Sequence, residues 1–258
     1  MKKMVLKDAS LQKMVIDADM QLDIEVNPDE NASLYIYMEK DVNVKYQIHV
    51  HENASLNLLI WNESQGMLSG ESFCERNAQL SFNLGELQDK DTKQKHLIHL
   101  CGEESRLNLK SANIIKNTKT YEIVCLHEAP HTYSNMENYA IVYENGTFEM
   151  IDTGKIVKGA YGSESHQTSR ALILDEHARC NITPELLIDE NDVQASHATT
   201  MGQIDENQLY YLETRGLTQK QALGLITIGY LMPMAHVLED EALNLELSTI
   251  IEKKVGLS

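Results

Sequence analysis

Two residues carry the most chemical potential in this chain: His197, in Ser196-His197-Ala198-Thr199-Thr200, and Cys180. A neutral imidazole can ligate a transition metal, and a thiolate can join it if the fold brings the two together. A lone histidine or thiol is also an ordinary structural residue, so neither assigns a function by itself. The four cysteines, Cys74, Cys101, Cys125 and Cys180, are widely spaced and contain no Cys-x-x-Cys pair. That excludes zinc-ribbon and ferredoxin patterns. His49-x-His51 on a strand would share a face, His96-x-x-His99 would face opposite ways, and His127 and His131 flank Pro130. None of these pairs has a carboxylate or thiolate at a spacing that marks a metal site. No P-loop, dinucleotide fingerprint or Gly-x-Ser-x-Gly elbow is present.

Composition narrows the classes. The chain has 258 residues, of which 42% are hydrophobic but only 6% aromatic, so a core of Leu, Ile, Val and Ala is expected. The formal charge is −17. Nucleic-acid binding and adsorption to anionic membranes, which need clustered Lys and Arg, are disfavoured. No apolar run is long enough to span a membrane. Met1-Lys2-Lys3-Met4-Val5-Leu6 lacks the apolar centre of a signal peptide. The expectation is a cytoplasmic protein with free thiols.

The elements that position His197 are read from a recurring phrase. Asp8-Ala9-Ser10-Leu11 is echoed by Asn31-Ala32-Ser33-Leu34, Asn53-Ala54-Ser55-Leu56 and Asn77-Ala78-Gln79-Leu80. The early copies recur at about 22–27 residues, a spacing that marks stacked repeats. Each copy is a polar turn followed by period-two alternation, as in Leu34 to Met38, Leu56 to Ile60 and Leu80 to Leu84. Further strands are expected at Val42 to His49, Lys95 to Leu100, Leu107 to Ala112, Tyr121 to His127, Tyr139 to Tyr143 and Leu172 to Leu174. A short strand cannot bury its apolar face alone, whereas stacked copies can. A parallel β-helix over residues 1–202 is favoured over a sandwich.

From 203 to 258 the period becomes helical. Asp205 can cap a helix carrying Leu209, Tyr210 and Leu212 and ending at Gly216. Thr218-x-x-Gln221 is a capping box that opens a helix with Ala222, Leu225, Ile226 and Gly229 near one face. Pro233 interrupts it, and a last helix over Leu238 to Lys254 carries Leu243, Leu247, Ile250 and Ile251. The apolar junction Gly229 to Met234 is expected either to dock on the end of the solenoid or to receive a partner.

The stretch Pro184 to Gly216 resembles the C-terminal signature of the SufB/SufD family of iron–sulfur cluster assembly proteins. The resemblance rests on Ser196-His197-Ala198-Thr199-Thr200 and on Asp205-Glu206-Asn207-Gln208-Leu209-Tyr210-Tyr211-Leu212-Glu213-Thr214-Arg215-Gly216. His127 to Ser134 and Gly159 to Leu174 resemble two further family segments. The resemblance implies a right-handed parallel β-helix with a small helical C-terminal domain. It implies no enzymatic activity of the chain's own, since a SufC-like ATPase supplies the nucleotide chemistry. That ATPase would bind the C-terminal helices, at residues such as Gln208, Tyr211, Arg215 and Gly216. The end of the β-helix, near Ile182 to Ala195, would pair with a SufB-like subunit or with a second copy as a homodimer. A transient iron–sulfur cluster or iron could then sit at that interface. The family's members usually carry a further region ahead of the β-helix. Where it carries cysteine or glutamate at this end, the chain has Ile188, Ala195 and Ala198. Only His197 remains, which is closer to a short SufD-type subunit. A β-helical interaction protein with no metal role, or a carbohydrate-active β-helix enzyme, are the competing readings.

Overall fold

The computed structural model describes residues 2–256. Alternating apolar and polar residues produce sixteen strands among the described residues: β1 (Lys2–Leu6), β2 (Leu11–Ile16), β3 (Met20–Val26), β4 (Asn31–Met38), β5 (Val44–Val50), β6 (Ser55–Asn62), β7 (Gly66–Cys74), β8 (Gln79–Glu86), β9 (Thr92–Leu100), β10 (Arg106–Ile115), β11 (Thr118–His127), β12 (Tyr133–Val142), β13 (Thr147–Ile156), β14 (Ser163–Ile173), β15 (Arg179–Ile188) and β16 (Val193–Gln203). Odd-numbered strands form one parallel sheet and even-numbered strands another, each in simple numerical succession. Every coil therefore gives one strand to each sheet, the arrangement of a parallel β-solenoid. Side chains alternate across each strand, so each sheet sends one set inward to a shared core. Along the even sheet, Leu34, Leu58, Phe82, Leu109, Met136, Gln167 and His197 stand in one column.

One corner explains the recurring phrase. Asp29, Asn53, Asn77, Glu104, His131 and Gly162 all have positive φ, a conformation that Asn, Asp and Gly adopt most readily. Their amides donate to the next coil: Asn53 to Arg76 O (2.9 Å), Asn77 to Glu103 O (2.8 Å) and His131 to Tyr161 O (2.9 Å). Asn77 Nδ2 donates to Asn53 Oδ1, and Asn53 Nδ2 to Asp29 Oδ1, both at 3.0 Å. The next residue (Ala54, Ala78, Ser105, Thr132 or Ser163) is small and buried inside the bend. The structural repeat here is 24 residues. The echo at Asn31 stands two residues out of register, because Asn31 pairs with Ser55 and Ala32 with Leu56. Coils then lengthen: partners in neighbouring coils are 27 residues apart at Ser111–Asn138 and 31 apart at Ser134–Ser165.

The tail forms three helices, α1 (Glu206–Thr214), α2 (Gln219–Leu231) and α3 (Glu241–Val255), with a 3-10 turn over Met232–His236. Asp205 caps α1, and the Thr218–Gln221 capping box opens α2. Asp240 caps α3, which ends at Gly256 in the left-handed conformation. The tail does not cover the end of the solenoid, as was one expectation. It folds back over the outer face of the even sheet. There Tyr35, Leu59, Trp61, Ile114, Ile141 and Leu172 form a second core with Leu231, Met234, Leu238, Leu243, Leu247 and Ile251. The cause is legible in β6, where Leu58-Leu59-Ile60-Trp61 is apolar on both faces, so both must be covered. Asn57 Nδ2 donates to Val237 O (2.8 Å), and Lys254 pairs with Glu63 (3.2 Å). The buried face of α2 is Ala222, Gly224, Thr227 and Leu231, and Leu225 stays exposed.

Candidate functional site at the open end of the solenoid

The interior changes chemistry along its axis. Through the first coils it holds only aliphatic and aromatic side chains such as Leu22, Ile24, Leu34, Ile36, Ile48 and Leu58. The boundary is built around Tyr46, whose hydroxyl donates to His96 Nδ1 (2.6 Å), two coils away. It passes Gly70, where any Cβ would collide with the Tyr46 ring. Burial pushes His96 down to about 3, so its ring is neutral and donates from Nε2 to Gln94 Oε1 (2.8 Å). Beyond it lies a fully buried ion pair, Lys119 Nζ to Glu86 Oε1 at 3.1 Å. Burial opposes the Glu86 charge, but the Lys119 ammonium and hydrogen bonds from Thr92, Tyr121 and Asn62 outweigh it and hold the carboxyl below its ordinary value.

From there a hydrogen-bonded chain runs to the last coils. Tyr121 lies 2.6 Å from Asn113 Oδ1, Asn113 Nδ2 donates to Ser111, Ser111 donates to Asn138, and Asn138 donates to Asp152 Oδ2 (2.8 Å). A separate cluster holds His127 between Thr132 and Ser134, at 2.8 Å from each, and these bond on to Ser163 and Ser165. Burial lowers His127 to about 4 and raises the neighbouring Cys125 to about 12, so both are neutral.

The two sheets end at β15 and β16. Each is paired on one side only among the described residues, so backbone donors and acceptors are presented outward. His197 is the terminal member of the inward column, in register with Gln167, and it is exposed because no further coil covers it. Ala195 is inward with Ser165, while Ala198 faces outward with Thr168. Ile188 closes β15 in register with Ile156, and Leu187, Ile188 and Met201 leave apolar surface exposed at this end. Cys180 lies near the start of β15, in register with Phe148 and packed against the apolar core. Burial raises its thiol to about 11. The turn between β15 and β16 follows Ile188, so the middle of β15, around Pro184, lies across from His197 rather than Cys180. Those two residues are not brought together.

Beside this end, α1 buries none of its residues. Tyr210 and Tyr211 are 68% and 54% exposed. The Arg215 guanidinium stacks over the Tyr211 ring, 5.1 Å from its centroid, and Gly216 ends the helix with φ +91°. Gln208 reaches a cleft of about 510 Å³ with Tyr139, Arg170, Leu172, Leu225 and Tyr230. Gln208, Tyr211, Arg215 and Gly216 thus form one solvent-facing surface next to the open coil.

On the outer face beside this end, His166 lies 2.8 Å from Ser196 Oγ. His49 and His99 stack on either side of Phe73 on the outer face of the odd sheet, with centroids 5.0 and 4.7 Å away. Among the described residues no group of three or more His, Cys, Asp or Glu is placed to hold a metal ion. Sequence reasoning missed Glu86, Lys119, Asp152 and Gln167. The available signal was a charged or amide residue at an inward period-two position.

Comparison with known proteins fits this architecture. Residues 8–230 match the family described as SUF system FeS cluster assembly, SufBD core domain. The chain belongs to this family. It is 31% identical over 182 residues to the iron–sulfur cluster assembly protein SufD of Bacillus subtilis, covering 70% of this chain and 42% of that protein. Identity to SufD of Escherichia coli is 28% over 149 residues, 56% of this chain and 34% of that one. A SufBD family protein of Mycobacterium bovis is 28% identical over 193 residues, 74% of this chain and 23% of its own length. The chain thus spans less than half of each of these relatives. Among the described residues no helix is long and apolar enough to cross a membrane.

Proposed function

We propose that this chain is a SufD-like, non-enzymatic subunit of a cytoplasmic SUF-type iron–sulfur assembly complex. The observation that carries the reading is the uncovered last coil. Two one-sided edge strands, exposed Leu187, Ile188 and Met201, and His197 are presented together within a chain of the SufBD core family. An edge of this kind is completed by another strand, here from a SufB-like subunit or a second copy. His197 then lies in the joint and offers one imidazole to iron or a cluster as cargo. The remaining ligands come from the partner, since the described residues supply no cluster of ligands there. A SufC-like ATPase binds α1 and the adjoining cleft, where Gln208, Tyr211, Arg215 and Gly216 are free for contact.

The test is co-expression with SufB-like and SufC-like proteins and purification through a tag on this chain. Recovery of both, with iron-dependent absorbance after anaerobic reconstitution, supports the proposal. Failure of both to co-purify, with no such absorbance, overturns it. His197→Ala is expected to abolish the absorbance while leaving the complex intact. Unchanged absorbance would remove the role of His197 alone.

A further inference from the structure

Asp152 is fully buried, and it differs from the other buried carboxylate of the solenoid in one respect. Glu86 has the Lys119 ammonium against it. Asp152 has no cationic side chain within ion-pair distance among the described residues. Its Oδ2 accepts from Asn138 Nδ2, and its Oδ1 has no hydrogen-bond partner. Gln167 lies against the same residue. Its Nε2 donates to two carbonyl oxygens, those of Asp152 and Glu185, both at 3.1 Å. That pair of acceptors fixes the amide orientation, because turning it over would set oxygen against oxygen. Gln167 Oε1 is therefore a second buried acceptor with no donor. Thr199 Oγ1, buried and without a partner, stands one strand further out, in register with Ser169.

A water molecule can donate to such oxygens, but it leaves the carboxylate charge uncompensated, and an unpaired buried charge is costly. The neighbouring Cys125, in register with Gly154, is held as a thiol, and the amide nitrogens of Asn138 and Gln167 already donate to oxygen. What remains is one anionic oxygen among neutral amide and hydroxyl oxygens. That donor set suits a hard, singly charged cation, whereas Ca²⁺ and Mg²⁺ sites draw on more carboxylates and zinc sites on nitrogen or sulfur. We propose that the interior compartment at the wide end of the solenoid binds an alkali-metal cation, with Asp152 Oδ1 as its anionic donor and Gln167 Oε1 as its principal neutral one. The compartment lies one coil inside the open end, so the ion enters from the face that carries His197.

The probes are K⁺, Na⁺ and choline as chlorides at equal ionic strength, with the purified chain at pH 8. K⁺ or Na⁺ is expected to raise the melting temperature by about 2–4 °C over choline. The difference between the K⁺ and Na⁺ arms identifies the preferred ion. Asp152→Asn is expected to remove that dependence. A wild-type crystal soaked in rubidium chloride, which needs no variant to fold, is expected to show an anomalous peak beside Asp152 and Gln167. Equal melting temperatures in all three salts, together with no rubidium peak, would overturn the site in favour of a protonated Asp152. An ion dependence that survives in Asp152→Asn, with rubidium bound elsewhere, would overturn it as well.

Discussion

The first and last coils share a backbone plan and differ in what fills it. Around Leu34, Leu58 and Phe82 the core is apolar, and stability comes from excluding water. Around Asn138, Asp152, Gln167 and Ser169 the same inward positions hold hydrogen-bonding groups. The ladder and the stacked corner do not require an apolar interior when most of the inward polar groups are hydrogen-bonded. The N-terminal coils are a packed core. The C-terminal coils interleave that core, through Met136, Phe148, Met150 and Ile182, with buried hydrogen-bonding groups.

Substitutions can break or sharpen that contrast. The largest effect is expected at the boundary. Lys119→Met strands the buried Glu86 charge and should cost about 3–5 kcal/mol in urea unfolding. An equal loss from Glu86→Gln would show that each charge depends on the other. In the apolar half, Leu58→Ala should cost about 3 kcal/mol by cavity formation, and Ser169→Ala in the polar half far less. Equal costs would erase the distinction.

Asp152 sets the next effect, read in choline chloride. Burial raises its carboxyl to about 7, above the ordinary 3.8. The unfolded chain therefore releases this proton first. The contribution to stability is fully present below about pH 4 and falls as pH rises to about 7. Between pH 5 and pH 8 the loss from this group is about 2–3 kcal/mol. Asp152→Asn should flatten that part of the pH–stability curve, and an unchanged slope would assign it to other groups. The smallest effect is expected at the corner. Asn53→Ala removes two side-chain hydrogen bonds and a residue suited to positive φ, for about 1–2 kcal/mol. Asn53→Gly should lose less.

The solenoid was legible wherever its inward residues were apolar. Leu34 to Met38 and Leu80 to Leu84 declare strands by alternation. By contrast, β14 reads Ser-Glu-Ser-His-Gln-Thr-Ser-Arg before reaching Ala171, and alternation marks only its end. Its inward Ser165, Gln167 and Ser169 defeat a rule that equates inward with apolar. The helix caps at Asp205 and Thr218 were legible because capping is local chemistry. The face on which the tail docks was not, although Leu59 and Trp61 on the outward face of β6 announced a covering layer. His197 was visible as a residue. Its place at the end of the column below Gln167 depends on register, which one strand does not reveal.

The lengthening of the coils has an engineering consequence. The coils from Asp29 to Asn77 share one 24-residue unit, so excising residues 54–77 would bring equivalent corners together and shorten the molecule by one storey. The same cut among the 27- and 31-residue coils would join unequal perimeters. The slim end is modular masonry, and the flared end is a single casting that must be inherited whole.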